Sequence, residues 1–166
     1  MLVVADTSVL VNLAMVCQAH LLQELFGTVM APAAVCREFG RLVAEEPRFS
    51  AAIWPNWVAV KQPSRIPDAL LAWPRRLHAG ETEAIALAIE VGADILLVDE
   101  GAGRAAAQAH GLAITGLVGI LLRAKASGLI PAVAPILDRI VDEAGFWLGS
   151  AFRRQTLLLA HEDPDA

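Results

Sequence analysis

Apolar residues fall along this chain in two alternating patterns. LVVA (2–5), DILLVD (94–99) and LAIT (112–115) are short, nearly unbroken apolar runs, and TVMA (28–31) resembles them. Such runs are the signature of strands buried on both faces, as in a parallel sheet. Between them the apolar positions recur with helical spacing. SVLVNLAMV can follow Thr7 or Ser8 as cap, CQAHLLQELFG (17–27) stops at Gly27, and Pro32 suits the first turn of a helix over about 32–45. ETEAIALAIEVG (81–92), the alanine-rich EGAGRAAAQAHG (100–111) and GLVGILLRAKASG (116–128) each end at a glycine stop. PAVAPILDRIVDEAG (131–145) and SAFRRQTLLLAHE (150–162) predict two more helices. Strands alternating with helices require right-handed crossovers. The pattern therefore predicts an α/β fold, a three-layer α/β/α sandwich around a central, mostly parallel sheet.

The middle of the chain is less regular. Pro47, Pro55, Pro63, Pro67 and Pro74 interrupt it, and only WVAVK (57–61) alternates as an edge strand or extended segment would. Residues 44–78 thus read as an irregular, flexible or inserted part of one domain spanning 1–166, with a C-terminal helical extension over 129–166. No composition shift marks a boundary, and no internal repeat is visible.

Composition changes the picture in three ways. Hydrophobic residues make up 56% and charged residues 19%, with mean hydropathy +0.53. That excludes a disordered chain, permits a large core and leaves apolar surface for a partner. The most apolar segment, GLAITGLVGILL (111–122), falls short of the ~20 residues a spanning helix needs, and Arg123 and Lys125 close it. Residues 7–23 carry Asn12, Gln18, His20 and Gln23, and the start has no basic region of a secretory leader, so no membrane association and a cytoplasmic location are expected. Cys17 and Cys36 belong to no CxxC or Cys/His cluster; both read as small buried hydrophobes, which argues against zinc. Net charge is −5 and the pI is near 5.3. A nucleic-acid binder usually shows a basic footprint, unless the deficit sits in an acidic cluster that divalent cations neutralise.

The acids are placed where such a cluster would form. In open α/β sheets, ligands gather beyond the carboxyl ends of the strands. Asp6 and Asp99 each end a predicted strand, Glu81 lies in the first turn of the helix feeding DILLVD, and Glu38 lies in the helix after TVMA. Each has a purely structural alternative: a helix cap for Asp6 and Asp99, a favourable macrodipole position for Glu81, and pairing with Arg37 or Arg41 for Glu38. Glu83 and Glu100 read as solvated or as supports. Carboxylates that did converge would need protons or cations, and all-oxygen sites suit Mg²⁺ or Mn²⁺.

Four stretches carry a resemblance to the PIN-domain family of metal-dependent nucleases, which includes toxins of bacterial toxin–antitoxin pairs. They are VVADTSVLVNLA, PAAVCREF, GETEAIALAIEVGADILLVDEGAGR and GLAITGLVGILLRAKASGLIP. The resemblance implies that Asp6, Glu38, Glu81 and Asp99 form a catalytic Mg²⁺ or Mn²⁺ site, with Thr7 or Ser8 supporting the first acid. It implies a Mg²⁺/Mn²⁺-dependent endoribonuclease in which a metal-activated water attacks an RNA phosphodiester in line. It further implies a small cognate antitoxin protein and a homodimer. Gly101 stands where many relatives carry an acid or amide, a role that Glu100 can take over, and Glu81 replaces the commoner Asp. Arg104 is placed to reach a phosphate or a carboxylate, and Arg75, Arg76 and His78 form a small basic cluster that could grip RNA. The competing expectation is a catalytically inactive PIN-like binding protein that docks a partner through its acidic pocket.

Overall fold

A computed structural model describes residues 1–166. Five parallel strands form one sheet: β1 (Leu2–Ala5), β2 (Thr28–Ala31), β3 (Ala59–Val60), β4 (Ile95–Leu97) and β5 (Ile114–Thr115), in the order β3-β2-β1-β4-β5. Helices cover both faces, giving the three-layer sandwich that the apolar pattern predicts. They are α1 (Thr7–Met15), α2 (His20–Phe26), α3 (Ala33–Glu45), α4 (Asp68–Leu71), α5 (Ala79–Val91), α6 (Gly101–Ala109), α7 (Leu117–Ala126), α8 (Ala134–Ala144) and α9 (Ser150–Leu159). No single helix is long and apolar enough to cross a membrane.

The strand order decides where a ligand can bind. β1 lies at the centre, with Val3 beside Val29 of β2 and Ile95 of β4. The chain leaves β1 toward β2 and β3, then returns to add β4 and β5 on the other side. Connections after β1 and β4 therefore diverge, and a crevice opens beyond their carboxyl ends. Asp6 and Asp99 follow those two ends.

Packing explains why β1 and α1 are so apolar. Val3, Val4, Ala5, Val9, Leu10 and Leu13 have no measurable exposure. A helix apolar all round is a core helix, not an amphipathic surface one. α1 packs against α3 and α8, while α3 packs against α5. Burial of this N-terminal hairpin of strand and helix thus fixes the carboxyl end of β1 firmly against three other elements.

Two expectations need correction. Cys17 is exposed and Cys36 half-buried, so neither is a fully buried hydrophobe. Cys17 turns through the left-handed region (φ 58°) directly after α1, which ends that helix and swings the thiol outward. The same turn delays the next helix to His20, three residues later than its periodicity suggests. The proline-rich middle holds a short 3-10 turn (Pro47–Phe49), the edge strand β3 and α4, and it sends Phe49, Ala52, Val58 and Leu70 into the core. At the far end, Glu162 accepts from Lys125 Nζ (2.8 Å) and from the amides of Val133 (2.6 Å) and Ala134 (2.9 Å). A carboxylate at the start of α8 satisfies open backbone donors and fastens the C-terminal segment.

Candidate metal centre

Four carboxylates approach one another beyond β1 and β4. Asp6 occupies the N-cap position of α1, yet its side chain makes no capping hydrogen bond. It is only 3% exposed, and its Oδ1 has no partner. Simple capping therefore does not account for the residue. Glu38 is oriented from both sides: Thr7 Oγ1 donates to its Oε2 (2.8 Å), and the Gly80 amide donates to its Oε1 (2.9 Å). It does not pair with Arg41, which is held by Glu45 instead. Glu81 accepts the His78 amide at Oε2 (2.9 Å), while its buried Oε1 is left without a partner. Glu81 thus closes the start of α5 with one oxygen and offers the other to the crevice. Glu100, at the N-cap position of α6, also makes no capping bond. A ligand atom from each of Glu100, Glu81 and His78 lies within 4.8 Å of the others.

Asp99 behaves differently. Its Oδ1 accepts the Leu117 amide (3.0 Å), so it caps α7, eighteen residues further on, and not the helix that follows it directly. Its Oδ2 is buried without a partner. Arg104 donates to the Val98 carbonyl (3.1 Å) and its charge acts on Asp99. Glu100, the next residue, is grouped with Glu81 and His78 at this strand end. Asp99 lines the same cavity and is tied back to α7.

Glycines make the gathering of these acids possible. A Cβ at Gly80 would collide with Glu38 Oε2, and one at Gly116 would collide with Asp99 Oδ1. At Gly103 a Cβ would come within 2.7 Å of Glu81 Oε1. Any side chain at these positions would push a carboxylate out of place.

Electrostatics follow from burial without counter-charge. None of these carboxylates takes part in an ion pair. Burial pushes the Asp6 carboxyl up to about 8, against the pull of the Thr7 amide, with Glu81, Glu38 and Glu100 adding repulsion. Burial also raises Glu81, against the pull of the His78 amide, and Glu100 raises it further. Asp99 is raised by burial too, although the Leu117 amide and Arg104 pull it back. Several carboxylates made reluctant to ionise by burial, and further by one another, favour positive charge in the crevice.

The acids line a cavity of about 610 Å³. Ser8 and Asn12 share its wall: Asn12 Nδ2 donates to the Ser8 carbonyl (2.7 Å), and both Ser8 Oγ and Asn12 Oδ1 are buried without partners. Asn12 was not anticipated, although an amide four residues after Ser8, in an otherwise apolar run, is a legible signal. Arg41, Arg48 and His78 lie on the rim. Arg75 and Arg76 are exposed but do not line the cavity. Glu83 is also elsewhere, accepting the Ala34 amide (3.3 Å) at the start of α3.

The acid-lined crevice lies at the switch point of a parallel α/β sheet, where ligands of such folds bind. The chain belongs to the PIN-domain family, whose model matches residues 2–162. PIN domains are in general nucleases that act on nucleic acids and typically bind divalent metals. No curated protein and no solved structure matches the chain.

Proposed function

We propose that this protein is a Mg²⁺- or Mn²⁺-dependent endoribonuclease that hydrolyses RNA phosphodiester bonds, acting as the toxin of a type II toxin–antitoxin pair. The observation that carries the reading is the convergence of Asp6, Glu38, Glu81 and Glu100 with no Lys or Arg paired to any of them. The residues fit a hard cation. Asp6 Oδ1, Glu81 Oε1 and Asp99 Oδ2 are buried oxygen donors without partners, and such all-oxygen sets favour Mg²⁺ and Mn²⁺.

Asp6, Glu81 and Glu100 would hold the ion, with Glu38 and Asp99 completing the negative wall. A bound ion would lower the pKa of a water and offset the charge that builds on the scissile phosphate. The chain's own residues do the holding. Thr7 and Gly80 fix the Glu38 carboxylate, and the His78 amide fixes Glu81. The Leu117 amide fixes Asp99. Such outer partners set ligand orientation and commonly change metal affinity 10–100-fold when removed. Because Asp6 is protonated well into the neutral range, loading must displace a proton and should strengthen as pH rises.

The toxin reading is supported by the family's membership and by exposed apolar side chains on α9, where Phe152, Leu158 and Leu159 are 52, 55 and 62% exposed. That face suits an apolar antitoxin helix or a second copy in a homodimer. Incubating purified protein with total RNA and Mn²⁺ tests the activity, with Asp6→Asn and Glu81→Gln as controls. Cleavage by the wild type alone, with growth arrest that Asp6→Asn relieves, supports the proposal. Intact RNA under all conditions, together with tight Mn²⁺ binding, would favour a metal-holding protein without nuclease activity.

A further inference from the structure

Trp147 is the most exposed large apolar side chain in the protein, at 86%. It sits in the 145–149 connection between α8 and α9, where Gly145 turns through positive φ (71°) and Gly149 ends the segment. The indole rests its benzo edge near Gly149: a Cβ there would lie 3.6 Å from Cη2, an ordinary contact. Trp147 lines the acidic cavity and also a second groove of about 600 Å³ on the other side, so it stands as the ridge between them.

The neighbouring wall carries a cation. Arg48 lies over the Phe49 ring (4.7 Å to the centroid) and beside Gly145, where a Cβ would come within 2.9 Å of its terminal nitrogen. Its exposed pairing with Glu46 is long, at 3.8 Å, and contributes little in water. A flat apolar ring and a guanidinium thus flank one lip of a cavity whose floor is acidic.

Net charge sharpens the point. At −5 the chain carries a net negative charge, which weakens its overall attraction for a polyanion. A nucleic-acid strand must then gain much of its hold from something other than phosphate attraction. Single strands are held by bases stacked on aromatic faces together with cationic contacts to the backbone. We propose that Trp147 is a stacking platform for one base of a single-stranded segment next to the scissile phosphate, with Arg48 meeting a flanking phosphate. The inference rests on the nuclease reading of the acidic cavity.

The test uses Asp6→Asn protein, which replaces a carboxyl of the proposed metal site and leaves bound RNA uncut. Binding of an unstructured, fluorescently labelled RNA nonamer is followed by anisotropy, with a single abasic residue walked along the strand. One position should cost about 5- to 150-fold in affinity. Adding Trp147→Ala should cost the same factor on intact RNA and abolish the penalty at that position, while Trp147→Phe should retain most of the binding. A flat abasic walk, or unchanged binding by the Trp147→Ala double variant, overturns the stacking role. A Trp147→Ala variant that loses only self-association, with RNA binding intact, overturns it equally and assigns the ring to a second copy. Cleavage by the wild-type protein is scored separately, so an active enzyme with a flat abasic walk rejects the platform and leaves the nuclease reading standing.

Discussion

Replacing Asp6 with Asn should stabilise the metal-free protein, and by an amount that grows with pH. Asp6 is 3% exposed, and burial raises its carboxyl from an ordinary 3.8 to about 8. Between those values the folded protein holds a proton that the unfolded chain has released. Stability is therefore fully present below about pH 4 and declines as pH climbs toward 8. At 1.36 kcal/mol per unit, the cost has a ceiling of about 2 kcal/mol at pH 5 and about 5 kcal/mol at pH 8. Water entry and local relaxation make buried sites respond as if the dielectric constant were about 20, so a pH-dependent difference of about 2 kcal/mol is the realistic expectation. Asn keeps the shape and carries no charge. In thermal denaturation with EDTA, wild type and Asp6→Asn should melt at similar temperatures at pH 5. At pH 8 the variant should melt about 4–8 °C higher, from about 2–4 °C per kcal/mol in a chain of this size. Mn²⁺ should raise the melting temperature of the wild type at pH 8 and leave the variant nearly unmoved. A melting difference that does not change with pH, or an Asp6→Asn protein less stable than wild type at pH 8, would refute the account of Asp6 as a buried, uncompensated carboxyl.

Four further outcomes follow from the geometry. Glu100→Gln should weaken Mn²⁺ binding at least tenfold by calorimetry with little change in melting temperature. Asp99→Ala should in addition cost about 1 kcal/mol in denaturant titration, because it uncaps α7; equal losses of metal affinity with no stability difference would contradict the division of roles. Gly80→Ala should lower Mn²⁺ affinity because its methyl meets Glu38 Oε2 and Thr7 Oγ1, and unchanged affinity would show that the Glu38 position is immaterial. Glu162→Gln should hasten proteolysis after α8, since it weakens the Lys125 pair and leaves the Val133 and Ala134 amides a poorer acceptor; a digestion pattern identical to wild type would show that the fastening is dispensable.

Much of this molecule was legible along the chain. Continuous apolar runs specified the inner strands, because a strand covered on both faces has no polar side to show. Glycine stops at Gly27, Gly92 and Gly111, all with positive φ, ended helices where the sequence placed them. The positions of Asp6 and Asp99 after β1 and β4 were likewise set by where apolar runs stop. What the chain alone left open was direction and company. That Asp99 accepts the α7 amide of Leu117, eighteen residues further on, is decided by folding. Glu83, two residues from Glu81, is turned to the start of α3 because neighbouring helix positions two apart face different ways. Arg48 and Trp147 reach one cavity from segments nearly a hundred residues apart, and Cys17 escapes burial through a single left-handed turn. Periodicity reports which face of an element is covered. It carries no information about which distant group covers it, and the chemistry of this crevice is made of such distant pairs.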